Sequence, residues 1–535
     1  MACSKIFSDL PELTNEIIQH SRKDFSTLYS CILVNRLWCR LAIPLLWEDP
    51  FSKYDPKNYH YIEIYLSKLN EDDKAKFNEY GIKYDLLRSN STLFNYPSFI
   101  KYLNYGSIYR SIKKWIFILV DDDDFMEVEE LVYKSLLEIF IKNEGKLHSL
   151  EYAISTLDSY CNDTMELILQ NPNFTYNIKD LTLFLDDIKI TINIVPFLKF
   201  FSSNYNSISS INFCYSSHIG NINDLSLIEN CISQIIISQH NLKIISFGFK
   251  VNYNLFLPLK NSNCSNTLST IIFNYIDFKN ILTVLQEVFN QLNVLESVHI
   301  FYCCSLNSDF VQQIIKVIKP FKLRSLLMDE ILHVESLQLL LQKCGDYLEN
   351  FEYGYMGEEY EESRPLLLEL IIKYCTKIKR FNSDKPDNFN VYLLIENIGQ
   401  TINYISIDLD DQELSQIILQ NLGRVLPSKL EYLHLELFFI TADDFKMFLR
   451  DFQNTFVKKF LINDITRDLY EGILFYTKEY IMKKKRVKYL AIKVRRELAD
   501  LKYEVKEFRS YDIIVKRYFD LYINILDDII HNFTK

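Results

Sequence analysis

The chain has 535 residues, a formal net charge of −11, and 48% hydrophobic and 14% aromatic content. That apolar share supplies a large core and excludes a mainly disordered chain. The negative balance argues against nucleic acid as the main partner, because phosphate binding needs a clustered positive field.

Gly (11) and Pro (12) are scarce, against usual shares of about 7% and 5%. Ile, Asn, Lys, Tyr and Phe are plentiful, which reads as a coding bias, so an exposed Asn or Tyr carries little information here. The eleven Cys form no Cys-x-x-Cys pair, and Cys303 and Cys304 are adjacent. Free buried thiols in a reducing compartment are expected. Asp9, Pro11, Glu12 and Glu16 interrupt any early apolar run, so no signal peptide is expected. No stretch of 18 apolar residues offers a membrane span. A cytoplasmic or nuclear location follows as the expectation.

In chain order, Ser8 or Asp9 caps a first predicted helix that starts near Pro11, a residue tolerated at a first helical position. Leu10, Leu13, Ile17 and Ile18 fall at helical spacing on one side of it. Asp24 or Ser26 caps a second helix with Leu28, Cys31, Ile32 and Leu33. A third carries Val34, Leu37, Trp38, Leu41 and Ala42, and Pro44 interrupts it before Leu45, Leu46 and Trp47. Three short helices cannot bury that much apolar surface among themselves. The remainder of the chain, or a partner, must cover what is left.

This stretch resembles the F-box motif. The resemblance rests on Leu10-Pro11-Glu12-Leu13 with Glu16-Ile17, then Leu28, Cys31 and Val34, then Asn35-Arg36, Trp38 and Leu46-Trp47. It covers about a tenth of the chain. It implies that Leu10, Pro11, Leu13, Ile17, Leu28, Val34 and Trp38 lie in or beneath a face that docks on the adaptor subunit of a cullin–RING ubiquitin ligase. The bland alternative is a helical end cap on the following domain.

Residues 51–144 fit neither this pattern nor the next one and read as a helical linker, with Asn70 as a helix cap. The run Asp121–Asp124 reads as a solvated loop rather than a divalent-ion site, because metal ligands need convergent geometry.

From residue 145 a unit of the form apolar-x-x-apolar-x-apolar recurs. It stands at "LHSLEY" (147), "IKDLTL" (178), "ISSINF" (208), "LKIISF" (242), "LSTIIF" (268), "LESVHI" (295) and "LRSLLM" (323). It continues in "LENFEY" (348), "IKRFNS" (378), "INYISI" (402), "LEYLHL" (430), "VKKFLI" (457) and "VKYLAI" (487). The mean spacing is about 28 residues, within the range of a leucine-rich repeat, and the segments between show helical periodicity. Residues 145–495 thus resemble a leucine-rich-repeat array of about 13 units. Many units swap Leu for Ile, Phe or Val, and the usual Asn or Cys after the strand is mostly missing. The expected fold class is α/β, a solenoid with parallel strands on the concave face and helices on the convex face. A small all-α module at residues 1–50 precedes it, and a helical cap at 496–535 follows. The basic run "KKKRVK" (483) reads as part of that cap's charged outer face.

Strand residues flanking the second core position point to the concave face. That rule nominates His299, Phe301, Leu327, Asp329, Glu352, Gly354, Ser406, Asp408, His434 and Glu436. The loop "GYMGEEYEES" (354) adds Glu358, Glu359, Glu361 and Glu362, so a basic or hydroxyl-rich protein segment is the expected target. The chain carries no phosphate-cradling glycine loop, no His-Glu-x-x-His and no Gly-x-Ser-x-Gly elbow. The nine His have no zinc-ligand spacing to another His or Cys. No enzyme, cofactor or metal site is expected. The expected function is a substrate receptor of an SCF-type ubiquitin ligase; the alternative is a repeat scaffold with no ligase role.

Overall fold

A computed structural model of the chain describes residues 11–529, apart from 23, 53–55, 57, 84–86, 88–91, 120–124, 156–159, 187–192, 216–221, 250–252, 329–333, 355–362, 385–389, 465–469, 495 and 527. Leu10, Asp329, the run Asp121–Asp124 and the four glutamates of the 354 loop lie outside the described residues. The chain divides into two compact units, residues 1–243 with 261–267, and residues 244–260 with 268–535.

The first unit opens with α1 (Pro11–Gln19), α2 (Phe25–Ile32) and α3 (Arg36–Leu46). Asp24 caps α2 by accepting from the Thr27 amide at 3.0 Å. Asn35 caps α3 by accepting from the Trp38 amide at 3.0 Å. Each cap satisfies a backbone donor that has no partner inside its helix. Pro44 does not interrupt the third helix, which continues to Leu46. It stands in the last turn, where a missing amide donor costs one bond rather than a break in the middle of a ladder.

Ile18, Leu28, Cys31, Ala42 and Leu45 form the module's core, with Trp38 packed half-buried against it. Behind the module, Trp47 lies 4.1 Å from Tyr96 and 5.4 Å from Tyr65, ring to ring. Buried Glu48 pairs with Arg22 at 2.7 Å and with Lys101 at 3.2 Å. Its carbonyl accepts from the amides of Lys101 and Tyr102.

Four parallel strands follow, paired in chain order: β1 (Tyr102–Asn104), β2 (Ser149–Ser155), β3 (Asp180–Asp186) and β4 (Ser210–Tyr215). The segment expected to be a purely helical linker therefore contributes β1 to the sheet. The boundary expected at 145 falls inside the stack.

Among its described residues the second unit holds eleven parallel strands, also paired in chain order. They are β5 (Ile244–Gly248), β6 (Thr270–Asn274), β7 (Ser297–Phe301), β8 (Leu323–Met328), β9 (Asn350–Tyr353) and β10 (Arg380–Asp384). The rest are β11 (Tyr404–Asp408), β12 (Lys429–Leu437), β13 (Phe456–Asp464), β14 (Val487–Lys493) and β15 (Ile514–Val515). Helices such as Ser308–Lys316, Val334–Cys344 and Gln412–Val425 connect them. Phe273, Ile300, Leu326, Phe351, Phe381, Ile405, Leu433, Phe460 and Leu490 are fully buried in one row beneath those helices. At one junction the register departs from the expected spacing: Ile300, not Val298, faces Leu326, a slip of two residues, and β8 also takes an extra residue at Arg324.

The expected cap at 496–535 is helical only in part. Helix Lys502–Ser510 leads to β15, which pairs with β14, and a helical turn at Tyr518–Leu521 and the helical residues 525–526 and 528–529 then return across the strands. Among the described residues, no helix is long and apolar enough to cross a membrane.

Candidate functional site

Two surfaces carry the residues singled out by sequence. The first is the outer side of the amino-terminal module. Pro11, Leu13, Ile17 and Val34 are exposed, Leu28 is fully buried beneath them, and Trp38 is half-buried. The structure adds three residues that the motif did not flag: Phe25, Tyr29 and Leu33 are exposed as well. Leu33 is 74% exposed, Tyr29 64% and Val34 57%. Phe25, Tyr29 and Leu33 stand at i, i+4 and i+8, so one side of α2 presents all three to solvent. That spacing was available in the sequence. The module closes a small core and still leaves these side chains bare, which is the composition of an interaction patch rather than of a surface facing only water.

The second surface is the face of β5–β15 turned away from the helices. Alternation puts His299 and Phe301 of β7, Leu327 of β8 and Glu352 of β9 on it. Ser406 and Asp408 of β11 and His434 and Glu436 of β12 share that face. The register aligns Phe301 with Leu327, Leu327 with Glu352, Ser406 with His434, and Asp408 with Glu436. The expected face therefore exists. However, His299, Phe301, Glu352, Ser406 and His434 are buried, whereas an open binding face would leave them accessible.

The chain itself covers much of this face. Tyr518, Leu521, Ile525 and Ile529 are buried in one cluster with Ile272, Phe301, Leu327, Tyr404, Tyr432, Leu461 and Ala491. Tyr404 and Tyr432 stack at 4.3 Å with their planes 4° apart. Tyr404 donates to the carbonyl of Ile523 at 2.9 Å, and Tyr432 accepts from the amide of the same residue at 3.2 Å. Further along, Arg380 pairs with Asp528 at 2.5 Å.

His434 sits where the tail begins. Its Nδ1 lies 2.8 Å from Ser406 Oγ, and its Nε2 lies 2.5 Å from Tyr518 Oη. Tyr518 donates to Glu436 at 3.2 Å, so the ring donates from Nε2 to Tyr518 and accepts from Ser406. Burial holds the imidazole pKa down to about 4 and that of His299, at 2.7 Å from Ser325 Oγ, down to about 3. Both rings are neutral near pH 7. Burial pushes the Tyr404, Tyr432 and Tyr518 hydroxyls up, so they stay protonated as hydrogen-bond partners.

Two of the acids expected to greet a basic target, Glu352 and Glu436, are engaged internally. Glu352 accepts from Tyr302, and Glu436 accepts from Asn463 and Tyr518. The sequence missed the tail and its tyrosine partners. Leu521, Ile525 and Ile529 recur every four residues, which reads as another helix, and nothing local says that the segment turns back onto strands more than 80 positions earlier.

As for chemistry, the ten described cysteines are all free. Burial pushes Cys303 and Cys375 up to about 12, far from the thiolate form that attacks substrates. Among the described residues no group of His, Cys, Asp and Glu converges on a metal position. No protein-family model matches the chain, and no curated protein matches it.

Proposed function

We propose that the chain is the substrate-recognition subunit of an SCF-type ubiquitin ligase. In this reading α1–α3 form an F-box that binds the adaptor, and the parallel strands and helices form a leucine-rich-repeat solenoid that binds a protein target. The observation that supports it is the row Leu13, Ile17, Phe25, Tyr29, Leu33 and Val34, left exposed over a closed core. The receptor acts by proximity. It raises the effective concentration of a target lysine near a charged ubiquitin carrier and performs no bond chemistry of its own.

The test uses the two most exposed aliphatics of the patch, because truncating half-buried Trp38 would also weaken the module's core. Leu33→Glu with Val34→Glu leaves that core intact and places carboxylates in the docking face. If these positions are anchors worth about 2 kcal/mol or more, adaptor affinity falls at least about 30-fold. Co-purification of adaptor with wild-type and variant chains reads the result. Undiminished capture, or no capture by the wild type, favours a repeat scaffold with no ligase role.

A further inference from the structure

Residues 518–529 lie on the sheet in the manner of a bound peptide. A clamp holds their backbone at the middle of the face: the Tyr404 hydroxyl donates to the Ile523 carbonyl and the Tyr432 oxygen accepts from the Ile523 amide. Both ends of one residue's main chain are read by side chains, so the clamp accepts any residue except proline, which lacks the N–H. Five positions before Ile523, Tyr518 is read by His434 and Glu436. Five positions after it, Asp528 is read by Arg380. Beside the tail a cleft of about 660 Å³ remains, lined among others by Ser297, His299, Arg380, Lys459 and Ile529. Lys459 is held below its usual pKa, first by burial and then by Lys458. Residues 518–529 add no strand to the sheet, so side-chain contacts hold them there.

We propose that this face is a docking site for a target segment of two short helical turns joined by a three-residue link, with an aromatic hydroxyl, an aliphatic residue five positions on in the link, and a carboxylate five positions further. The chain's own residues 518–529 occupy the site until a target displaces them. This rests on the reading of the repeats as the target-binding part. It replaces the expected basic target with an apolar and acidic one, because Arg380 and Lys459 stand at the site while Glu352 and Glu436 are engaged.

The test keeps the full chain. Tyr518→Ala with Asp528→Lys loosens the tail and leaves the face untouched. The probe is a fluorescein-labelled synthetic peptide of residues 517–529. The loosened chain binds it saturably, and wild-type chain binds it at least about tenfold more weakly, because its site is already filled. Adding Tyr404→Phe and Tyr432→Phe to the loosened chain abolishes peptide binding without lowering its melting temperature by more than a few degrees. Hydrogen exchange at residues 518–529 speeds up in the loosened chain.

Equal binding by wild-type and loosened chains overturns the proposal. So does absence of binding by a loosened chain whose tail exchanges fast, and so does a tail that exchanges no faster than in wild type. Adaptor capture is read in parallel on the same samples. Its loss with peptide binding intact sinks the ligase reading alone, and the reverse result sinks the tail proposal alone.

Discussion

Gly423 lies in the helix Gln412–Val425 where the next helix crosses it. A Cβ there would meet the Phe448 carbonyl oxygen at 2.8 Å and the Phe452 amide nitrogen at 3.1 Å. Both obstacles are backbone and cannot swing aside. Gly423→Ala is therefore expected to cost about 1–3 kcal/mol through overpacking, read as a lower urea midpoint with unchanged slope. In an isolated helix the same change would stabilise, so the sign of the effect tests the crossing itself. Gly423 sits amid good helix formers, and its tertiary reason was invisible in the sequence. The same holds for His434 and Glu436. The alternation of β12 put them on the correct face, but their partner Tyr518 is 84 and 82 positions away. Face assignment follows from period two; occupancy of a face depends on a segment whose own pattern says helix.

At the scale of elements the reading reached furthest where periodicity was long. Each of the thirteen expected hexads contains or overlaps one of the strands β2–β14. Even the weak "IKRFNS" forms β10. The two strands missed, β1 and β15, have three and two residues, too few for an alternation to register. The two-residue slip between β7 and β8 also escaped, because Ile300 and Val298 share a face and the slip preserves the pattern. Helix caps were legible at Asp24 and Asn70, while the cap Asn35 was not singled out; each accepts a backbone N–H at a helix start. Asn35→Ala removes the bond to Trp38 and is expected to cost α3 about 1 kcal/mol. Amide exchange across Arg36–Leu46 should rise roughly fivefold, and exchange in the strands should not change.

At the scale of the whole molecule, the two units hold buried titratable groups of opposite kind. In the first, burial raises Glu151 and Asp180 to about 7, offset only in part by Arg110 and Lys179. The native state keeps protons that the unfolded chain releases above its ordinary carboxylate pKa. Their contribution to stability is complete in acid and is lost as pH rises through about 7. His148 in that unit is held down by burial and by Lys101, Lys179 and Arg22, and works in the opposite sense. In the second unit His299 and His434 stay neutral down to about 3 and 4, whereas an unfolded histidine protonates near 6.5. Their contribution is complete above 6.5 and is lost as pH falls toward 4. Each group changes stability by up to about 1.4 kcal/mol per pH unit within its window. Protection factors between pH 5 and 7, corrected for intrinsic exchange, are expected to fall with rising pH in β2–β3 and to rise in β7–β12. Parallel trends in both units would contradict these assignments.

The return of residues 518–529 onto the strands also has a consequence for synthesis. Ile523 leaves the ribosome 119 residues after Tyr404, the ring that receives it. At about 5–20 residues per second the wait is roughly 6–24 s. During that interval the nascent chain displays Tyr404, then Tyr432 and then Leu461, each with nothing from residues 518–529 laid over it. Helpers that shield sticky nascent surfaces then have a defined window in which to act, and a ribosome that pauses between codons 432 and 518 prolongs it.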